Sequence, residues 1–356
     1  MYVLAKGVVV VPDSIRWTGP WLGATRTVAL QRVANRPIIC HVLDALRDAG
    51  VVEVAIVTPP DVAAEIAPCV ESDGPPGIAV RHLVNDRPAD CGDALLAAAE
   101  FVGDAPCILH RADGLLGQPI LSMIQPADGR PRDAVLLVNN CPVETGRPRL
   151  VRLDQVADGD VDSPLPPLGI AGACALGPGV LRRLPNPGRS AQLLDFAAIA
   201  EQVAYDGGST QVHVARRWRH FAGDALDLLE MNRAILDTLD AEATPSPGDG
   251  NRFEGNVSIH PTARVTSSII IGPVMVGADA LISDSYIGPY TSIAERVRIE
   301  GAELERSIVL AHASVLHVGG RLVASIVGRH ARVFRDFSMP RALRLQVSDG
   351  DEVALC

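Results

Sequence analysis

Ser285-Tyr286-Ile287-Gly288-Pro289-Tyr290-Thr291-Ser292-Ile293 is the stretch that decides how this chain is read. A serine stands two residues before an aliphatic, Ile287, and a second aliphatic, Ile293, follows six residues later. The same phrase returns at Ser268/Ile270/Val276, Ser307/Val309/Val315 and Ser325/Val327/Val333. These serines are 17, 22 and 18 residues apart, which predicts a repeat near 18 with one insertion around 300–306. An internal period of this length sets the architecture ahead of any local propensity. Aliphatics every six residues fit a three-sided coil, one short parallel strand and one turn per side. Ile270, Ile287, Val309 and Val327 are then expected in one stacked row. An antiparallel sandwich would give strict alternation instead. Ala263, Ala280, Thr291, Ala313 and Ala331 are small enough to leave room for the next coil. Gly272, Gly277, Gly288 and Gly328 each follow an aliphatic, where a corner would call on a permissive backbone. The reading is a parallel β-helix of about four coils.

Upstream, residues 1–240 alternate strand-like and helix-like segments. Val8–Val11 and Val52–Val57 read as buried strands, and between them Ile38, Ile39, Val42, Leu43 and Leu46 share one helical face that stops at Gly50. Val80–Val84 and Cys107–Leu109 continue the strands, separated by an Ala/Leu-rich helix over Asp93–Phe101. Ala134–Val138, Ala171–Leu176 and Gln211–Ala215 follow, with helices near Leu193–Ala204 and over Leu226–Leu239. Such alternation predicts a Rossmann-like α/β domain with a mostly parallel sheet. Sheets of this kind bind ligands at the carboxyl ends of their strands, where the strand order reverses. The segment 241–251, rich in Pro, Gly and acidic residues, reads as the linker, and 252–356 as the β-helix with a C-terminal tail.

Composition narrows the function. A chain of 356 residues is long enough for two cores. A net charge of −10 disfavours a nucleic-acid partner, whose phosphates need a positive surface. No apolar run approaches the roughly 18 residues of a membrane span, and the start does not resemble a signal peptide. Seven cysteines, an odd number without zinc-like pairing, suggest free thiols in a reducing cytoplasm. Cys40, Cys107 and Cys174 lie in apolar stretches and read as core. Of the 32 basic residues every one but Lys6 is arginine, so any chemistry that needs a lysine in a pocket has a single candidate.

Particular segments add a resemblance: Val33-Ala34-Asn35-Arg36-Pro37, Asp113, Glu230-Met231-Asn232-Arg233, the stretch Ser285–Ser292, and Arg341-Ala342-Leu343-Arg344-Leu345. With them, nearly the whole chain resembles the sugar-phosphate nucleotidyltransferases, in particular the long bacterial glucose-1-phosphate thymidylyltransferases with a left-handed β-helix of hexapeptide repeats. The resemblance implies a nucleotide or nucleotide-sugar ligand near Asn85, Asp113 and Gly172. It implies magnesium held by two aspartates, with Asp113 at one position and His220, in Trp218-Arg219-His220, standing at the other. A turn or cap aspartate explains Asp113 as well, and close strand packing explains Gly172 as well.

The family's phosphate loop, a G-G-x-G-T-R stretch, falls on Asp13-Ser14-Ile15-Arg16-Trp17-Thr18, which has no glycine. The lysine that follows it falls on Val28, and a sugar-phosphate E-K-P motif falls on Leu153–Ala157, again without lysine. Asp90 stands where a glycine would approach the base. Glycine-borne backbone donors and cationic side chains neutralise a leaving pyrophosphate, so their loss removes the chemistry. One reading is therefore a pseudoenzyme with no catalytic residue, acting by nucleotide-sugar binding or as a regulatory or assembly subunit. It would form a homo-oligomer or pair with an active homologue. The other is a divergent but active sugar-1-phosphate nucleotidyltransferase that uses magnesium, with Arg16, Arg26 and the Arg216–Arg219 run supplying charge. Acyl transfer by His312, His317 or His330 on the β-helix is a third class, against which solvated surface histidines are the plain explanation.

Overall fold

The computed structural model describes residues 6–11, 27–85, 91–124, 132–139, 169–183, 196–215, 217–221, 223–239, 248 and 250–337. Strand β1, Lys6–Val10, is followed by the short pair β2, Arg32–Val33, and β3, Arg36–Pro37. Helix α1, Ile38–Asp48, buries Ile38, Ile39, Val42, Leu43 and Leu46 as their spacing requires. It ends at Gly50, whose φ of 86° lets its N–H reach back to Arg47 O at 2.8 Å. Next come β4, Glu53–Thr58, and α2, Pro60–Asp73. Helix α2 escaped the sequence reading because of its prolines, but Pro60 sits in the first turn, where its missing N–H costs nothing. The remaining elements are β5, Ala79–Val84; α3, Cys91–Val102; β6, Cys107–Arg111; β7, Gly114–Leu116; α4, Ile120–Ile124; and β8, Ala134–Asn139. Then follow β9, Gly169–Leu176; α5, Val180–Arg183; α6, Phe196–Tyr205; β10, Thr210–Val214; β11, Trp218–His220; and α7, Ala225–Leu236. A capping box between Asp224 and Asp227 starts α7.

Seven of these strands form one sheet in the order β10-β8-β9-β6-β1-β4-β5, parallel except for β9. Side chains alternate across it, so Val9, Ile56 and Ile108 join one core with α1, α2 and α7. Val8, Val10, Val57 and Leu109 join the other with α3, α5 and α6.

The C-terminal strands make a left-handed parallel β-helix with five strands on each of three faces. Its interior is aliphatic, from Val257 through Ile287 and Ile299 to Val327. The expected single row is corrected. Ile270 and Ile287 stack with Phe253, Leu304 and Leu322 on the first face, whereas Val309 and Val327 stack with Val276 and Ile293 on the second. The coil therefore repeats without the insertion proposed at 300–306, and it is one coil taller than expected. The serine phrase misled because it marks more than one corner. At each, Oγ donates to the carbonyl two residues back: Ser268 to Thr266 at 2.8 Å, Ser285 to Ser283 at 2.6 Å, Ser307 to Glu305 at 2.7 Å. Ser268 also accepts from Ser285 N in the next coil, and Ser307 from Ser325 N, so there are two ladders rather than one.

The corner glycines are corrected as well. Left-handed φ values at corners belong to residues such as Asp279, Arg296, His312 and His330, while Gly272, Gly277, Gly288 and Gly328 do not adopt them. Gly277 is small for another reason: a Cβ there would stand 2.8 Å from the Ala294 backbone of the next coil. The linker lies largely outside the described residues, as do Arg341–Leu345.

Candidate functional site

The strand order reverses at β1, with β4 and β5 on one side and β6 on the other. The crevice beyond the carboxyl ends of β1 and β6 is where such a sheet receives a ligand. Ala112 N donates to Val10 O at 2.9 Å and extends the pairing of these strands, and Asp113 follows at the rim.

Asp113 is buried, with 3% of its surface exposed. Its carboxylate is taken by Arg111, whose Nε lies 3.1 and 3.2 Å from the two oxygens and whose Nη2 bonds Oδ2. Residues two apart at a strand end share a side, so the pairing follows from local geometry. The Asp113 carbonyl accepts from Phe221 N at 2.9 Å, and His220 pairs with Gly114 across the β7–β11 ribbon. Trp218 of that ribbon fills the space beside two glycines. A Cβ on Gly172 would lie 2.9 Å from the indole, and one on Gly114 would overlap it. Asp113 and His220 thus lie on either side of the β7–β11 pairing at Gly114, and the Trp218 indole lies against Gly114 and Gly172.

His110 is fully buried 5.7 Å from the Trp218 ring. Burial pushes its pKa down to about 4, so the ring is neutral. Its Nδ1 is 2.7 Å from Arg111 O, an acceptor, which puts the proton on Nδ1 and leaves Nε2 a bare acceptor. Among the described residues neither His110 Nε2 nor the buried Thr58 Oγ1, at the carboxyl end of β4, has a partner. The sequence reading missed Arg111, His110 and Thr58. The signal for Arg111 was the i, i+2 spacing to Asp113 at a strand end.

Asn85 stands apart. It follows the edge strand β5 and donates its N–H to Thr58 O at 2.9 Å. Residues 13–18, Arg26, Asp90, 153–157 and Arg216 lie outside the described residues, while Val28 is half-buried against the α1 core. Lys6 begins β1, at the edge of the sheet opposite the crevice. There its Nζ donates to Phe101 O, lies 4.8 Å from the Phe101 ring centre and is 3.9 Å from Glu53. Among the described residues no group of three His, Cys, Asp or Glu stands close enough to hold a metal, and no helix is long and apolar enough to cross a membrane.

A second constellation lies where the α/β elements meet the β-helix. Asn232 of α7 is fully buried. Its Oδ1 accepts from Ala34 N at 2.7 Å and its Nδ2 donates to Tyr290 O at 3.1 Å. Asn35 Nδ2 donates to Ile293 O at 2.8 Å, Arg233 lies 5.0 Å over the Tyr290 ring, and Arg306 pairs with Glu230 at 3.5 Å. Ile308, on the outside of the β-helix, joins the core of α1 and α2.

No family model matches the chain. It is 29% identical over 341 residues to a glucose-1-phosphate thymidylyltransferase of Streptomyces antibioticus, covering 93% of this chain and 94% of the relative. A glucose-1-phosphate thymidylyltransferase of Streptomyces griseus is 28% identical over 337 residues, 91% of this chain and 92% of the relative. A low-salt glycan biosynthesis nucleotidyltransferase of Haloferax volcanii is 24% identical over 336, with the same shares. Over more than nine-tenths of its length the chain is thus similar to nucleotidyltransferases. Set beside the nucleotidyltransferase motifs, the structure sorts the resemblance by place. Val33–Pro37, Glu230–Arg233 and Ser285–Ser292 all meet at the junction with the β-helix. The departures from the nucleotidyltransferase pattern that fall on described residues, Val28 and His220, lie in the α/β half, as do the matching Asp113 and Gly172.

Proposed function

We propose that this protein is a nucleotidyltransferase relative without transferase turnover. It holds a nucleotide or nucleotide sugar at the carboxyl edge, close to Asp113, Gly172 and His220 with Asn85 at the periphery, or serves as a regulatory or assembly subunit of an oligomer. The observation that carries this reading is the position of Lys6. It is the only lysine in the chain, and it is engaged at the amino edge of the sheet. Nucleotidyl transfer to a sugar phosphate needs cations on the charge that develops at the phosphates. Arginine is a planar fork and does not replace a compact ammonium group at such a point.

The donor set also fails to suit magnesium. Magnesium takes oxygen ligands in strict octahedral geometry. Here one carboxylate is already bonded to a guanidinium, and the second position carries an imidazole. Arg111 supplies at Asp113 the positive charge that a metal would otherwise bring.

The alternative, a divergent but active enzyme, draws on the near full-length match to thymidylyltransferases and on Arg111, Arg217 and Arg219 near the same edge. Pyrophosphate release from each nucleoside triphosphate with a hexose 1-phosphate, in magnesium or manganese, separates the two. The expected result is no release above the blank. Turnover within about a hundredfold of the ~10 s⁻¹ usual for enzymes would establish the alternative.

A further inference from the structure

One corner of the β-helix carries a ladder of side chains that ends in two histidines. The strand registers place Asp279, Arg296, His312 and His330 at the same position of successive coils. All four have a left-handed backbone, with φ of 56°, 55°, 61° and 57°. His312 N donates to Glu295 O and His330 N to Ala311 O, each at 3.1 Å, which ties either corner to the coil before it. Held alike, the two exposed imidazoles stack, with ring centres 4.7 Å apart and planes 11° apart. Hydrogen-bonded strands lie about 4.7–4.9 Å apart, so the coil itself sets the distance between the rings.

We propose that His312 and His330 form a binding site for a divalent late transition-metal ion, which clips the last described coil to the one before it. A neutral imidazole offers one bare nitrogen, and imidazole suits copper, nickel and zinc. Metal–nitrogen bonds of about 2.0–2.1 Å put two nitrogens on one ion about 3–4 Å apart. Matching atoms of the stacked rings start about one coil spacing apart, and rotation about the side-chain bonds of exposed residues closes the rest. Among the described residues no third His, Cys, Asp or Glu completes a protein cage, so water fills the other positions. Arg296, the next member of the ladder, reaches to 3.8 Å from Asp279, where a carboxylate offsets its charge.

His317 shows that such pairing is no general property of these corners. Its backbone is also left-handed, with φ of 52°, and its N donates to Glu300 O at 2.7 Å. The equivalent position in the coil before it is Gly301, where a Cβ would stand 2.7 Å from His317 Nδ1. His317 therefore has no second imidazole on its ladder, and its Nε2 lies 3.4 Å from Glu300.

Because the coil holds both rings before the ion arrives, the second metal bond is intramolecular, and loss of either ring should weaken binding by at least about tenfold. The test is a calorimetric titration of nickel(II) chloride into the full-length, untagged chain at about pH 7.5, where free imidazole is mostly neutral. Excess magnesium is present throughout to occupy oxygen sites. One nickel ion per chain is expected at the pair. His312→Asn and His330→Asn each remove a ring while keeping a residue that tolerates left-handed backbone, and each should show the tenfold loss. His317→Asn should leave binding unchanged. Nickel should also protect His312 and His330 of the wild type from carbethoxylation by diethyl pyrocarbonate, a readout that needs no variant. No nickel binding by the wild type, binding that survives His312→Asn and His330→Asn, or equal carbethoxylation with and without nickel would each overturn the proposal.

Discussion

The junction with the β-helix and the carboxyl edge of the sheet are built from the same chain, yet the hydrogen bonds of the first join residues far apart in sequence, while Asp113 at the second is held by a residue two places away. At the junction the buried amide of Asn232 is satisfied at both ends, although Thr291 Oγ1 and Ser292 Oγ have no partner among the described residues. Asn232 uses its oxygen on Ala34 and its amide on Tyr290, and Asn35 closes the contact on Ile293. At the carboxyl edge a carboxylate is bonded to the arginine two residues away, and His110 and Thr58 keep polar atoms with no partner among the described residues. Unsatisfied buried groups cost stability and persist in native proteins where something other than stability is served. The segments Val33–Pro37, Glu230–Arg233 and Ser285–Ser292 meet where the two halves pack, whereas Asp113 and Gly172 lie at the carboxyl edge. Motif likeness at a docking surface is evidence of architecture and says little about chemistry.

The largest effect is expected inside the β-helix, on which the junction rests. Ile287 is fully buried in the first stacked row, so Ile287→Asp places an unpaired charge among aliphatics. A loss of roughly 4 kcal/mol or more should unfold the coil stack in thermal denaturation. An unchanged melting temperature would remove Ile287 from the interior.

Next comes the pH response of the carboxyl edge. His110 has its folded pKa lowered to about 4 by burial, although Asp113 nearby acts in the opposite direction. The unfolded chain therefore binds this proton first. Stability is full above about pH 6.5, falls as pH drops through the window from 6.5 to about 4, and levels off below it. The loss amounts to about 3 kcal/mol, and His110→Phe should remove that part of the slope in urea titrations at several pH values. An unaltered slope would place the acid sensitivity elsewhere.

Asn232→Ala should cost about 2 kcal/mol, because Ala34 N and Tyr290 O would lose their partners where water does not enter. Proteolysis between the halves should rise with it. The smallest effect belongs to Val28→Lys, which on the proposed reading supplies one lysine while residues 13–18 still lack glycine. Groups that act as a unit are strongly non-additive, so no pyrophosphate release should appear. A measurable gain would mean that the remaining site is intact.

Much of this architecture was legible in the residues. The alternation of aliphatic runs and helical faces placed β1, α1, β4, β6 and α7, because burial on both sides of a sheet leaves few polar positions to confuse the pattern. The β-helix was legible as a class and misread in register, since the serine corners look alike on different faces and local sequence cannot tell one corner from the next. Helix α2 was hidden by Pro60 and Pro68. The site was legible in part. Asp113 and His220 fall beside Gly114 and Gly172 lies under Trp218, whereas Arg111, His110 and Thr58 depend on which strands become neighbours. That information is long-range.

The proposed loss of metal–phosphate machinery at the carboxyl edge has a direct consequence for triphosphate binding. Calorimetric titration of a nucleoside triphosphate, with and without magnesium, on the wild type and on Asp113→Ala tests it most directly. The account predicts weak binding that magnesium barely changes and that Asp113→Ala does not abolish, because Arg111 already satisfies that carboxylate and several negative charges meet no lysine. Tight binding that requires magnesium and disappears in Asp113→Ala would show a working metal–phosphate site and contradict the account.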